Sequence, residues 1–224
     1  MSTETLEQEV SVKEPSESLF SKRRKKFVTD PLDDDNPVTV QILGICSALA
    51  VTSQIKPTLI MAVSVTAVIV FSNLIISLVR NLIPGRIRII AQLGIVATLV
   101  AIVDMVLKAY AYDVSKTLSV FVGLIITNCI VMGRLEAFAM GNKAWDSVMD
   151  GLGSGFGYSW VILVIAFVRE LFSSGKIFGV QVVPQVAYDF GYVNNGVMAI
   201  PVGAFIVVGL IIWVQRARNG YVEE

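Results

Sequence analysis

Residues 58–79 run for 22 positions without one ionisable side chain, and no other feature of the chain restricts its fold as severely. A helix rises 1.5 Å per residue, so this stretch reaches about 33 Å, enough to cross a hydrocarbon core about 30 Å thick. A helix also pairs its own backbone groups, which lipid cannot do. Five further apolar stretches accompany it, at about residues 38–51, 87–111, 118–133, 151–168 and 197–214. The expected fold is therefore all-α, a polytopic membrane protein with six transmembrane helices. Composition agrees: 54% of the residues are hydrophobic and 16% charged, against roughly 25% charge in soluble domains. An ordinary soluble enzyme is excluded on that ground.

The charges that remain are concentrated at the start. Residues 1–35 hold nine of the 18 acidic side chains and six of the 18 basic ones. Lys22, Arg23, Arg24, Lys25 and Lys26 are followed by Asp33, Asp34 and Asp35. Such a segment cannot bury enough apolar surface to offset its ordering entropy, so residues 1–36 are expected to form a disordered cytoplasmic extension. The basic run fits a positive-inside anchor beside a membrane span better than a nucleic-acid site, and no nucleic-acid partner is expected. Residues 1–36 lack the apolar core of a signal peptide, so insertion is expected to start from an internal segment.

Several chemistries are missing. The chain has no histidine, which removes histidine-based triads and zincin sites. Neither a G-x-G-x-x-G nor a Walker A sequence occurs, so no nucleotide site is visible. The two cysteines, Cys46 and Cys129, are too few for a disulfide framework and too far apart for a local CxxC site.

With six spans, one membrane face receives Lys13, the Lys22 to Lys26 run, Arg80, Arg86, Arg88, Arg134, Lys143, Arg216 and Arg218. The other face receives Lys56, Lys108, Lys116, Arg169 and Lys176. This bias predicts that both termini are cytoplasmic. The shortest apolar stretches are the first and the fourth. They open the two halves of a three-plus-three division, predicted as repeats over 37–112 and 113–215 ahead of a cytoplasmic tail at 216–224. Three spans per half invert the second repeat, and short or broken segments at matching places in inverted halves point to a site near the midplane.

Each short segment carries one cysteine. Counted from residues 38 and 118, Cys46 and Cys129 lie about 12 and about 16 Å along their helices, so both thiols are expected mid-membrane. Buried small hydrophobes, a disulfide between the halves and soft-metal ligands all fit this placement. An iron–sulfur cluster generally takes four thiolates, so two cysteines would supply half of one, and another subunit or a second copy would have to donate the rest.

Residues 123–140, GLIITNCIVMGRLEAFAM, and 36–52, NPVTVQILGICSALAVT, strongly resemble the family that supplies the D subunit of Na⁺-translocating NADH:quinone oxidoreductases and the E subunit of Rnf ferredoxin:NAD⁺ oxidoreductases. The resemblance covers about residues 36–215 and continues through DMVLKAYAYDVSKTLSVF at 104–121 and FVRELFSSGKIFG at 167–179. Ser47 after Cys46, and the wording LSVFVGLIITNC, resemble the Na⁺-pump branch rather than the Rnf branch. The resemblance implies a bacterial inner-membrane subunit paired with an oppositely oriented paralogue, the E subunit of the pump. It implies a [2Fe–2S] centre shared by the two, with Cys46 and Cys129 as this chain's ligands. That centre would relay electrons from a cytoplasmic flavoprotein iron–sulfur centre to a flavin on the outer side, coupled to Na⁺ export. NADH, flavin and quinone sites would belong to other subunits. The close alternative is an Rnf-type membrane subunit, with the same architecture and a different donor and acceptor. A secondary transporter or channel half, or a scaffold with inert cysteines, would share the inverted repeat.

Other residues carry weaker signals. Asn128 is a candidate hydrogen-bond donor beside the cluster, or a partner for broken helix backbone. Asp104 could stand on an ion path, although a bridge to Lys108 four residues on is simpler. Arg134 and Glu136 are expected to anchor the fourth span at the interface, and Arg169 and Glu170 to close the fifth on the outer side. Gly151, Gly153, Gly155 and Gly157 are a poor helix start, serving close helix contact or a backbone break. Trp160, Trp213, Tyr110 and Tyr112 fit an interfacial aromatic belt.

Overall fold

The first helix begins later than the apolar pattern suggests, and the reason lies in Asn36. Its side-chain oxygen accepts from the amides of Val38 (3.0 Å) and Thr39 (3.4 Å), while its own carbonyl accepts from Val40 and Gln41. Residues 37–40 consequently turn rather than wind. Ile42 and Gly44 then both take left-handed backbone, at φ 57° and 81°, which a right-handed helix cannot include. Helix α1 starts only at Ile45 and covers Ile45–Val51. Cys46 is thus the second residue of its helix, not eight residues along one, and the 38–51 span is broken near its middle.

The computed structural model describes residues 28–32, 36–110, 123–177, 180–181 and 196–219. After α1 come α2 (Ile55–Val79), α3 (Arg88–Tyr110), α4 (Cys129–Arg134), α5 (Ala144–Ser174), α6 (Gly196–Ala199) and α7 (Pro201–Asn219). Residues 123–126 are helical ahead of α4, and Leu135–Ala139 extend α4 as a π-helix. The described residues are helical apart from turns, a 3₁₀ turn at Asp30–Leu32 and a two-residue hairpin pairing Lys176 with Gln181 and Ile177 with Val180. Among the described residues four helices, α2, α3, α5 and α7, are long and apolar enough to cross a membrane. The Lys22 to Lys26 run, Asp33 to Asp35, Tyr112, Lys116 and the start of the fourth apolar stretch lie outside the described residues, and so does most of the proposed N-terminal extension.

Local chemistry explains the helix ends. Pro57 stands in the first turn of α2, where its missing N–H costs nothing. Gly175, at φ 63°, closes α5 by donating to Leu171 O, the usual left-handed stop. Pro201 opens α7, and Arg216 and Arg218 sit in its last turn, where positive charge complements the helix dipole.

Helices α2 and α5 form the inner pair. Half of the apolar window of α2 and 56% of that of α5 are buried, against 17% and 22% for α3 and α7. The two run antiparallel, with Thr66 opposite Ser159, Asn73 opposite Ser147 and Ser77 opposite Asn142. The glycine run makes that approach possible. A Cβ on Gly155 would stand 2.6 Å from Thr66, and one on Gly151 would stand 3.3 Å from the Val70 backbone. The glycines therefore lie inside a 31-residue helix rather than at its start, and close contact with α2 is the role of Gly151 and Gly155. Gly157 faces elsewhere: a Cβ there would meet the Pro31 carbonyl, and its own carbonyl accepts from Asn36 Nδ2 at 3.2 Å. Through these contacts the segment before α1 packs against the middle of α5. Trp160, at the middle of α5, lines an apolar groove with Leu59, Phe71 and Phe156. Trp213 is exposed on α7.

Candidate functional site

One face of α5 organises the broken helices. Asp150, Ser154, Tyr158 and Arg169 recur at helical spacing and are each at most 1% exposed. Asp150 pairs with Arg134 at the end of α4, and Arg134 also lies over the Phe138 ring at 5.7 Å. Arg134 therefore ties α4 to α5 rather than simply anchoring at an interface. Glu136 pairs with Arg88 and accepts from Gln92 Nε2 at 3.0 Å, tying the π-helical turn to α3.

Arg169 and Glu170 lie in the last two turns of α5, and both are buried. The Arg169 guanidinium donates to Leu49 O and Thr52 Oγ1 at the end of α1, and to Met198 O, Ala199 O and Ile200 O around the end of α6. It supplies donors to helix-terminal carbonyls that have no partner within their own helix. Glu170 accepts the Ile55 amide at 2.5 Å, performing the complementary task at the start of α2.

Within this frame the two cysteines meet. Cys46 is the second residue of α1 and Cys129 the first of α4, and their sulfurs are 3.9 Å apart although 83 residues separate them in the chain. Both thiols are exposed. Thiolate–metal bonds of about 2.3 Å at a tetrahedral angle place two sulfurs about 3.8 Å apart, whereas a disulfide requires about 2.05 Å. The spacing therefore fits two ligands of one metal ion. Among the described residues no group of three or more Cys, Asp or Glu side chains could hold a metal. The donor set thus fits half of a four-thiolate centre and leaves the other half to be presented from outside.

Asn128 serves the broken helix backbone. It caps α4, its Oδ1 accepting from Ile130 N at 3.4 Å, and its Nδ2 donates to Ser47 Oγ at 3.2 Å, joining the two cysteine-bearing segments. Gly133 leaves room for Leu43, since a Cβ there would stand 3.0 Å from that side chain. Asp104 lies apart from the cysteine site on α3, bonded to Lys108 at 2.6 Å with both side chains partly exposed. Sequence reasoning missed the bonds that join Ser47 to Tyr158 and Asn128, as well as Asp150. The spacing of Asp150, Ser154 and Tyr158 at i, i+4 and i+8 was the available signal for one polar face in an apolar helix.

Comparison with known proteins identifies the family of the chain. The family described as Rnf-Nqr subunit, membrane protein, matches residues 24–212. The chain is 55% identical over 195 residues to the D subunit of the Na(+)-translocating NADH-quinone reductase of Aeromonas hydrophila, covering 87% of this chain and 93% of that protein. Identity to the corresponding protein of Shewanella sp. strain W3-18-1 is 53% over 196 residues, covering 88% and 93%. Identity to that of Proteus mirabilis is 51% over 205 residues, covering 91% and 98%. These relatives are named as subunits of an oxidoreductase complex, and the chain described here belongs to the Rnf-Nqr family of membrane-protein subunits.

Proposed function

We propose that the chain acts as the D subunit of a bacterial inner-membrane, Na⁺-translocating NADH:quinone oxidoreductase, supplying Cys46 and Cys129 as two ligands of a [2Fe–2S] centre within the membrane. The observation that carries this reading is the 3.9 Å spacing of two exposed thiols. Its partner is then the paralogous, oppositely oriented E subunit, whose two thiolates complete the set. Such a centre, when bound, supplies a one-electron carrier partway across the hydrocarbon core. The residues of this chain hold the thiols in place: Asn128 joins α4 to α1, Arg169 fixes the far end of α1, and the Arg134–Asp150 pair fixes the far end of α4. NADH, flavin and quinone belong to other subunits in this reading.

The proposal includes six spans in a three-plus-three inverted repeat, divided at 37–112 and 113–215, with both termini in the cytoplasm. Support for the repeat comes from the two breaks. Each interrupts an apolar stretch directly before a helix that carries a cysteine in its first turn. Positive charge on Arg80, Arg86, Arg88, Arg134, Arg216 and Arg218 supports the orientation.

The decisive experiment compares Cys46→Ala and Cys129→Ala in the purified complex by iron content and EPR. Loss of one cluster signal and of quinone reduction from an assembled complex is expected for either variant. Unchanged iron and activity would sink the reading. Labelling of a cysteine added at the C-terminus is expected to fail from outside intact cells.

A further inference from the structure

The Ser47 hydroxyl holds as many hydrogen bonds as an sp³ oxygen can. It donates to Gly44 O at 2.8 Å, accepts from Asn128 Nδ2 at 3.2 Å and lies 2.7 Å from the Tyr158 hydroxyl. A hydroxyl has one proton and two lone pairs. With that proton committed to Gly44, Ser47 accepts from Tyr158, and the phenol is the donor. Ser47 follows Cys46 in α1, and Asn128 precedes Cys129 at the start of α4. Tyr158, fully buried, brings the third bond from α5. Its ring also closes on the left-handed turn before α1, where a Cβ on Gly44 would stand 3.1 Å from Tyr158 Cε2. One oxygen therefore joins both cysteine-bearing segments to the longest helix.

We propose that Tyr158 is a positioning residue for the thiol pair. Through Ser47 it holds Cys46 at a metal-bridging distance from Cys129, beyond the distance at which the sulfurs would bond to each other. Its purpose rests on the ligand role proposed above, but the spacing it enforces belongs to this chain alone. When the phenol O–H is absent, Ser47 loses one of its two incoming donors, and the start of α1 gains freedom to let the sulfurs approach.

The test uses the full chain expressed in membranes without partner subunits. Diamide takes two electrons and two protons from the thiol pair, and Cys46–Cys129 disulfide formation is followed by loss of maleimide labelling. Tyr158→Phe, which keeps the ring, is expected to accelerate the reaction about three- to tenfold, the range one hydrogen bond commands. Ser47→Ala is expected to accelerate it similarly. The double variant is expected to be no faster than Ser47→Ala, because both changes act through one oxygen. Ser159→Ala removes another α5 hydroxyl, bonded to Gly155 O at 2.7 Å, and is expected to leave the rate unchanged. An unaltered rate in Tyr158→Phe, additivity in the double variant, or equal acceleration by Ser159→Ala would overturn the proposal. Failure of the ligand role registers separately, as iron retained in Cys46→Ala within the complete complex.

Discussion

Arg169 Nη1 donates to Thr52 Oγ1 at 2.7 Å across 117 residues of sequence. Thr52 in turn donates to Ala48 O, so the final turn of α1 is closed by a side chain that α5 holds from behind. The positive charge of this buried guanidinium faces carbonyl oxygens at two helix ends, where negative partial charge accumulates.

Replacing Arg169 by Met should therefore leave several buried carbonyls without donors. The expected cost is about 2–4 kcal/mol, from unsatisfied groups at roughly 1–3 kcal/mol each with partial relaxation. The loss is read as a lower unfolding midpoint of the full chain in detergent. A lysine in the same place restores the charge but not the fork of donors, and Arg169→Lys should recover only part of the midpoint.

The glycines of α5 give a second prediction with an internal control. A Cβ on Gly155 would lie 2.6 Å from Thr66 Cγ2, whereas one on Gly94 of α3 meets nothing within 4 Å. Gly155→Ala should lower stability by about 1–3 kcal/mol through overpacking between α2 and α5. Gly94→Ala should stay within about 0.5 kcal/mol or gain slightly from helix propensity. The same unfolding titration reads both variants.

The contrast between these glycines marks what the linear pattern can carry. Apolar length alone located α2 and α3, because a charge-free run has no alternative in lipid. The pairing of Cys46 with Cys129 was legible as two thiols in two short segments. What escaped depended on contacts between distant segments. Gly151 to Gly157 look like a helix breaker until α2 lies against them. Nothing in the linear pattern around Arg169 and Glu170 announces that the ends of α1, α2 and α6 gather around them. The late start of α1 also followed from a tertiary partner, since Asn36, which turns the chain with its side-chain oxygen, is itself held by Gly157.

Asp104 and Lys108 permit a clean separation of structural and transport roles. Their bond is an i,i+4 pair with side chains 25% and 56% exposed, and such pairs contribute little to stability. Asp104→Asn should leave the unfolding midpoint and complex assembly within experimental error. Na⁺-stimulated turnover measured on the same assembled variant then reports the carboxylate itself, without interference from any folding defect.

Asn128 combines two duties that different substitutions can divide. Its Oδ1 caps α4, and its Nδ2 reaches Ser47 on the neighbouring helix. Asn128→Ala removes both, and loss of a cap alone typically costs about 1 kcal/mol. Serine at the same position is a good cap but is too short to serve as the amide donor to Ser47. Asn128→Ser should therefore retain roughly half of the stability lost in the alanine variant, by the same unfolding titration, because the capping share of about 1 kcal/mol survives. Both variants should nevertheless speed Cys46–Cys129 disulfide formation alike, because both cut the bond between α1 and α4. An accelerated disulfide in alanine alone would show that the cap and not the bridge sets the thiol spacing, and equal stability loss in the two variants would show that the cap contributes nothing.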